Sequence, residues 1–148
     1  MHYAKARTIL VAEDVDDDYF LIARAFNKIG SRVTPRRVAS GEEVIDYLSE
    51  KNAFADRAKN PLPELVILDV RLPGKSGFEV LAWIRRQSES RALPVVFLSS
   101  SESPEDVNRA YALGANSYLM KPGSQNEYEL LLRLVEEYWI DWNRPPMA

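Results

Sequence analysis

The sequence contains no cysteine. This absence excludes a disulfide framework, a thiolate nucleophile and a zinc site built on sulfur, and it fits a reducing cytoplasm, where we expect the protein to be located. An excess of basic residues is also absent, because 19 Lys and Arg stand against 22 Asp and Glu. Nucleic-acid binders usually carry a basic surface, so we expect no direct contact with nucleic acid.

Long hydrophobic runs are lacking as well. The short apolar stretch that follows Arg7 is interrupted at Glu13 and Asp14, which is too early for a signal peptide or a membrane span. We therefore expect no membrane insertion.

Five short apolar runs alternate with five segments of helical periodicity. The runs lie at 8–12, 33–38, 65–68, 94–98 and 117–120. Helix starts are indicated by a capping box at Ser40 and Glu43 and by Ser103 before Pro104, and the second of these helices should bury Tyr111. Strands that alternate with helices predict an α/β domain of three layers, a doubly wound five-stranded parallel sheet with helices on both faces.

The length indicates one domain over residues 1–148, with its core at about 7–140. The connection at 51–64 is longer than such folds need, and we interpret it as a surface insertion. We expect residues 141–148 to form a frayed tail and the only histidine, His2, to lie in a disordered N-terminal segment.

Polar side chains follow the predicted strands at their carboxyl ends. The first strand is followed by Glu13 and Asp14, the third by Asp69 and the fifth by Lys121, while Ser99 ends the fourth. Ligands of open α/β sheets bind at this edge. Three carboxylates that converge there need a cation, and hard oxygen ligands suit Mg²⁺. If Asp69 attacks a phosphoryl group, Lys121 can offset negative charge and the Ser99 hydroxyl can donate to a phosphoryl oxygen.

Four segments, in this order and at this spacing, resemble the receiver domains of two-component response regulators. They are ILVAED at 9–14, LVILDVRLPG at 65–74 with Gly77, PVVFLS at 94–99 and GANSYLMKP at 114–122. The resemblance implies phosphotransfer from a histidine kinase to Asp69, with output through protein contacts or onward phosphotransfer. It also implies direct Mg²⁺ ligation by Asp14, Asp69 and the Arg71 carbonyl, with Glu13 acting through water.

The same resemblance implies further features of the fold and of the switch. These are a flavodoxin-like strand order of 2-1-3-4-5, which is one of several orders that alternating strands and helices permit, a cis peptide bond between Lys121 and Pro122, and a phosphorylation switch through Ser99 and Tyr118. A plain core role for Tyr118 is the alternative. The insertion and the aromatic end of the last helix resemble the single-domain regulators associated with phytochrome kinases.

Two other functions fit parts of this pattern. A Mg²⁺-dependent phosphatase of the aspartyl-phosphate type also uses an aspartate at a strand end, but it normally has a second acid two residues later, where this chain has Arg71. A pseudo-receiver that binds partners without phosphate would not need the complete set of site residues. We therefore expect a switching module, and not an enzyme, whose only chemistry is its own phosphorylation and dephosphorylation.

The last predicted helix carries more apolar side chains than one buried face requires. After its buried face is assigned, Leu130, Leu134, Tyr138, Ile140 and Trp142 remain. Such a surplus predicts a homodimer through the last strand and helix. The alternative is that Trp139 and Trp142 fold back over the core of their own domain.

Overall fold

The computed structural model of the protein describes residues 7–146, so the expectation for His2 lies outside the described residues. The strands are β1 (Arg7–Ala12), β2 (Val33–Val38), β3 (Leu65–Leu68), β4 (Val95–Ser99) and β5 (Ser117–Met120). The helices are α1 (Asp16–Lys28), α2 (Gly41–Leu48), α3 (Gly77–Arg86), α4 (Pro104–Ala112) and α5 (Gln125–Glu136). A π-helical segment, Glu137–Trp142, continues α5.

All five strands are parallel and lie in the order β2-β1-β3-β4-β5. Both the predicted α/β class and the predicted strand order are confirmed. In this order the first and third strands are neighbours at the centre of the sheet, and their carboxyl ends lie side by side because Ala12 is in register with Leu68. The residues that follow these two strands are thereby brought together.

Side chains along the central strands alternate between two buried layers, as the period of a strand requires. Leu10 and Leu68 belong to the layer under α2 and α3, whereas Val11 and Ile67 belong to the layer under α1 and α5. Because β3 is buried on both faces, its four residues are all apolar. The resulting rigid strands fix the positions of the polar residues at their ends.

The connection at 51–64 is tied to α2. It contains a short 3₁₀ turn, Asn52–Phe54, whose Phe54 ring packs against Tyr47 with centroids 5.1 Å apart. The Arg57 guanidinium donates to the carbonyls of Tyr47 and Asn60 at 3.2 and 2.9 Å, and the Tyr47 hydroxyl donates to Pro61 at 2.7 Å. This part of the chain is therefore ordered by its own side chains.

The helix starts differ in detail from the predicted capping motifs. Ser40 accepts from the Glu43 N–H as expected, but the Glu43 carboxylate accepts from the N–H of Ala39 instead of Ser40. Ser103 precedes α4 but its side chain caps no N–H of the helix, and its own N–H donates to the Ser101 hydroxyl at 3.3 Å.

Tyr111 is not buried as predicted, and half of its side chain is exposed. Its hydroxyl accepts a hydrogen bond from the Tyr118 N–H of β5 at 3.2 Å. Since β5 is an edge strand, this N–H has no neighbouring strand on its outer side, and Tyr111 supplies the missing partner. The polar end of the ring therefore keeps it at the surface.

The C-terminal helix extends further than predicted, because the π-helical segment includes Asp141 and Trp142. Ile140 was counted among the surplus apolar residues, but it is 3% exposed. It follows Leu132 after about two turns, so both lie on the core side of the helix. Among residues 7–146, none of the helices has the length and apolar character needed to cross a bilayer.

Candidate functional site

The polar residues at the carboxyl ends of the strands form one buried site. Glu13, Asp69 and Ser99 are only 2%, 7% and 2% exposed. Backbone hydrogen bonds continue the sheet past its last apolar residues: the Glu13 N–H donates to Val38 and the Asp69 N–H donates to Ala12. The carboxylates are thus held by the frame of the sheet and not by a flexible loop.

The Lys121 amine is the centre of this site. Its Nζ lies 2.8 Å from Asp69 Oδ2, 2.8 Å from Asp18 Oδ2 and 3.1 Å from Glu13. The chain brings it there because β5 ends at Met120 and the Lys121 N–H donates to the Ser99 carbonyl. This cation, which follows β5, therefore links α1 to the residues that follow β1 and β3.

The Lys121–Pro122 peptide bond is trans, so the prediction of a cis bond was wrong. The trans form is the lower in energy by roughly 0.5–1 kcal/mol for a bond before proline. The long lysine side chain reaches all three carboxylates from this backbone geometry. No cis bond is therefore needed to direct the amine into the site.

Burial and neighbouring charges change the proton affinities at this site. Burial, together with the nearby Asp69 carboxylate, raises the pKa of Glu13 from 4.5 to about 8, even though Lys121 acts in the opposite direction. Burial alone would lower the pKa of the Lys121 amine, but hydrogen bonds to Asp18 and Asp69 and the charges of Asp69 and Glu13 raise it above its ordinary value. The lysine is therefore a permanent cation, and Glu13 is protonated easily when no other cation is near.

Carboxylate oxygens of Glu13, Asp14 and Asp69 lie within 4.8 Å of one another. Asp14 is exposed while the other two are buried, so the cluster opens to solvent on one side. Oxygen ligands with room for water match the preference of Mg²⁺ or Mn²⁺, and a divalent cation would relieve the repulsion that burial creates. The residues present therefore fit a divalent metal ion.

Arg71 lies beside this cluster. Its backbone N–H donates to Asp69 Oδ1 at 3.3 Å, which fixes one carboxylate oxygen. Its side chain is exposed. The predicted role of its carbonyl as a metal ligand stays a prediction.

Ser99 and Tyr118 lie on neighbouring strands near the same edge. The Ser99 hydroxyl accepts from the Ser101 N–H at 3.1 Å, and the Tyr118 hydroxyl donates to the Ser101 carbonyl at 2.9 Å. The Tyr118 ring is partly buried and packs 5.8 Å from Phe97. Ser101 thus connects Ser99, which is predicted to contact the phosphoryl group, to Tyr118, which is predicted to act in the switch.

Two residues of the site had no role assigned from the sequence. Asp18 lies in the acidic run 16–18, and its contact with Lys121 depends on how α1 packs against the sheet and α5. Gly77 belongs to a family motif, and the structure shows why glycine is required there: a Cβ atom would lie 2.2 Å from the Asp69 carbonyl oxygen. Neither the Asp18–Lys121 contact nor the close approach at Gly77 can be predicted from the local spacing of apolar residues.

Residues 9–133 match the family described as "Response regulator receiver domain". The chain belongs to the response regulator receiver family. Over 138 residues this receiver is 39% identical to the probable methanogenesis regulatory protein FilR2 of Methanothrix harundinacea, covering 93% of this chain and 86% of that one.

Solved structures of other response regulators resemble the receiver over nearly its full length. The response regulator RPA3017 of R. palustris, described in red light signaling, has a TM-score of 0.90 and 34% identity, covering 96% of this chain and 99% of that one. The phosphorylated cyanobacterial phytochrome response regulator RcpA has a TM-score of 0.87 and 30% identity, with the same coverage. The Mn²⁺-bound form of Rcp1, from Synechocystis, has a TM-score of 0.80 and 27% identity, covering 95% and 99%.

Proposed function

We propose that this receiver accepts a phosphoryl group from a histidine kinase on the Asp69 carboxylate. The observation that carries the proposal is the position of Asp69, at the end of a buried strand with its Oδ2 2.8 Å from the Lys121 amine. A carboxylate that is held in place and faces a fixed cation is suited to attack an anionic group.

In the proposed transfer a carboxylate oxygen of Asp69 forms a bond to phosphorus while the bond between phosphorus and the kinase histidine nitrogen breaks. The Lys121 ammonium offsets the charge of the incoming phosphoryl oxygens. The Ser99 hydroxyl, which donates no hydrogen bond to a described residue in the present arrangement, is free to rotate and donate to one of these oxygens. The receiver turns over no other substrate, so it is a switching module and not an enzyme.

The metal in this proposal is Mg²⁺, held by Asp14 and Asp69, by the Arg71 carbonyl and, through water, by Glu13. The cluster geometry and the Mn²⁺-bound form of the related Rcp1 support a divalent ion. When bound, such an ion neutralises negative charge on the phosphoryl oxygens. The chain contributes buried carboxylates, whose mutual repulsion a bound cation would offset.

Signalling in this proposal passes from Ser99 to Tyr118. If the Ser99 side chain changes its χ1 rotamer so that its oxygen moves to the phosphoryl group, it releases the Ser101 N–H. The carbonyl of the same Ser101 accepts from the Tyr118 hydroxyl. The aromatic side chain can then leave its present position and change the surface around β5.

We propose that the receiver acts in a cytoplasmic phosphorelay and that its kinase is a phytochrome. The similarity to RcpA and to RPA3017 supports this proposal. Output then passes through protein contacts or onward phosphotransfer, with no direct role for nucleic acid.

The proposal includes a homodimer through β5 and α5. Four apolar side chains, each four residues after the previous one, form an exposed stripe along the C-terminal helix. They are Leu130, Leu134, Tyr138 and Trp142, which are 61%, 54%, 59% and 74% exposed. Trp142 does not fold back over the core, while Trp139 packs partly against it. A continuous stripe of this kind is typical of a helix that meets a partner.

Labelling with radioactive acetyl phosphate tests the central part of the proposal. Wild-type protein should incorporate label in the presence of Mg²⁺, and EDTA should prevent this. Asp69→Asn should incorporate none, because an amide replaces the attacking oxygen. Labelling of Asp69→Asn at the wild-type level would contradict the assignment. A purified phytochrome kinase as the donor tests the proposed partner in the same assay.

A further inference from the structure

The three consecutive aspartates at the start of α1 have different surroundings. Asp16 forms an ion pair with Arg37 at 2.7 Å, and Asp17 is exposed. Asp18 faces inward, and its carboxylate lies 2.8 Å from the Lys121 amine. Only this third aspartate of the run is therefore in contact with the site.

An ammonium group has three N–H donors, and all three of those on Lys121 are occupied. Asp69, Glu13 and Asp18 each accept one. A phosphoryl oxygen that arrives at Asp69 needs a donor from this amine, so one of the three present contacts has to be given up.

Asp18 is the partner that the amine can release at the lowest cost. Its side chain is 32% exposed, whereas those of Glu13 and Asp69 are 2% and 9% exposed. A carboxylate that regains contact with water recovers its hydration, while a buried carboxylate without a partner does not. Glu13 and the phosphoryl group carried by Asp69 then hold the amine in the site once Asp18 has left.

We propose that Asp18 is a positioning residue that holds the Lys121 amine in the resting site and competes with the phosphoryl group for it. The strength of this competition sets how tightly the receiver retains a phosphoryl group. The inference rests on the proposed phosphorylation of Asp69, and it assigns to Asp18 a role that the other two aspartates of the run do not have.

Beryllofluoride, which forms a stand-in for the phosphoryl group on a carboxylate, provides the test. Its affinity for the Mg²⁺-loaded full chain is measured for wild type, Asp18→Asn, Asp17→Asn and Asp18→Glu, with thermal melting to show that each variant is folded. Asp17→Asn is the matched control because it removes the same charge one residue away, on an exposed side chain.

Asp18→Asn should bind beryllofluoride at least about threefold more tightly than wild type, since a competing charge in contact with the lysine is lost, and added salt should reduce this difference. Asp17→Asn should stay within about twofold of wild type, because an exposed charge at longer range is screened. Asp18→Glu, which keeps the carboxylate, should restore the weaker binding.

Equal or weaker binding by Asp18→Asn, relative to Asp17→Asn, would overturn the inference. Failure of the proposed function gives a different result, because wild type would then bind no beryllofluoride or Asp69→Asn would bind it equally well.

Discussion

At the scale of single residues, the buried Glu13 gives the site a pH dependence. In the folded protein its pKa is raised from 4.5 to about 8. Between these values the folded state holds a proton that the unfolded state has released, so the free energy of unfolding decreases as the pH rises. Lys121 does not contribute in this range, because its ordinary value of 10.5 lies above it and the folded value is higher still.

We therefore predict that the metal-free protein loses stability from about pH 5 to pH 8 and that Glu13→Gln loses less. Urea denaturation in the presence of EDTA measures the free energy of unfolding at pH 5 and at pH 8. The difference between the two pH values is determined separately for wild type and for Glu13→Gln. If wild type and Glu13→Gln show the same change, Glu13 does not carry the raised pKa.

Direct metal binding is a second prediction at this scale. Asp14→Ala should weaken Mg²⁺ binding at least about tenfold, because an exposed and accessible carboxylate of the cluster is removed. Titration followed by calorimetry measures the affinity, and Asp17→Ala controls for loss of one negative charge nearby. An unchanged affinity for Asp14→Ala would place the ion elsewhere.

Individual residues also show where sequence reasoning is limited. Glu13, Asp69 and Lys121 could be predicted because each directly follows an apolar strand, and parallel strands bring such positions to one edge. Asp18 lies in a helix, and its contact with Lys121 depends on the rotation of that helix against the sheet. Tyr111 was assigned to the core from its spacing, although a hydrogen bond to an edge strand holds it outside.

At the scale of elements, the start of α3 is fitted closely to the end of β3. Gly77 is the first residue of α3, and a Cβ there would lie 2.2 Å from the Asp69 carbonyl oxygen and 3.0 Å from Val70 Cα. Both are backbone atoms of the strand end, so the contact cannot be relieved by a side-chain rotation. The helix approaches the end of β3, and with it the proposed phosphorylation site, this closely only because this residue is glycine.

Gly77→Ala should accordingly destabilise the protein by about 1–3 kcal/mol. Gly123→Ala is the control, because a Cβ at Gly123 would meet nothing within 4 Å, and it should change stability by less than about 0.5 kcal/mol. Urea denaturation measures both. Equal stability of the two variants would show that α3 can shift away from the strand.

The first and last residues of a helix or strand can be predicted where they depend on neighbouring residues in the sequence. The apolar run of β3 and the proline at the start of α4 fixed those elements within a residue. Within residues 7–146, Ser76 and Glu79 form a complete capping box at the start of α3. The π-helical end of α5 has no comparable local signal, since its contacts are distant in sequence: the Ile140 side chain is buried in the layer under α1 and α5, and its carbonyl accepts from the Arg7 guanidinium.

At the scale of the whole molecule, the exposed stripe predicts self-association. The wild type should sediment as a dimer at tens of micromolar, a range of about 10⁻⁵ M that is typical of weak interfaces. The double variant Leu134→Glu with Tyr138→Glu should be a monomer, because two charges replace apolar contacts at the centre of the stripe. Leu62→Glu is the control, since Leu62 is equally exposed at 61% but lies in the segment 51–64. A monomeric wild type, with and without beryllofluoride, would contradict the dimer.

The most direct test of the account is to identify the phosphorylated atom. Borohydride reduces an acyl phosphate on aspartate to the alcohol, so peptide mass spectrometry after phosphorylation and reduction reveals the acceptor as homoserine. We predict homoserine at position 69 alone, because Asp69 is the carboxylate that both faces the Lys121 amine and lies at the end of the buried strand β3. Homoserine at position 14 or 18, with Asp69 unmodified, would contradict the account.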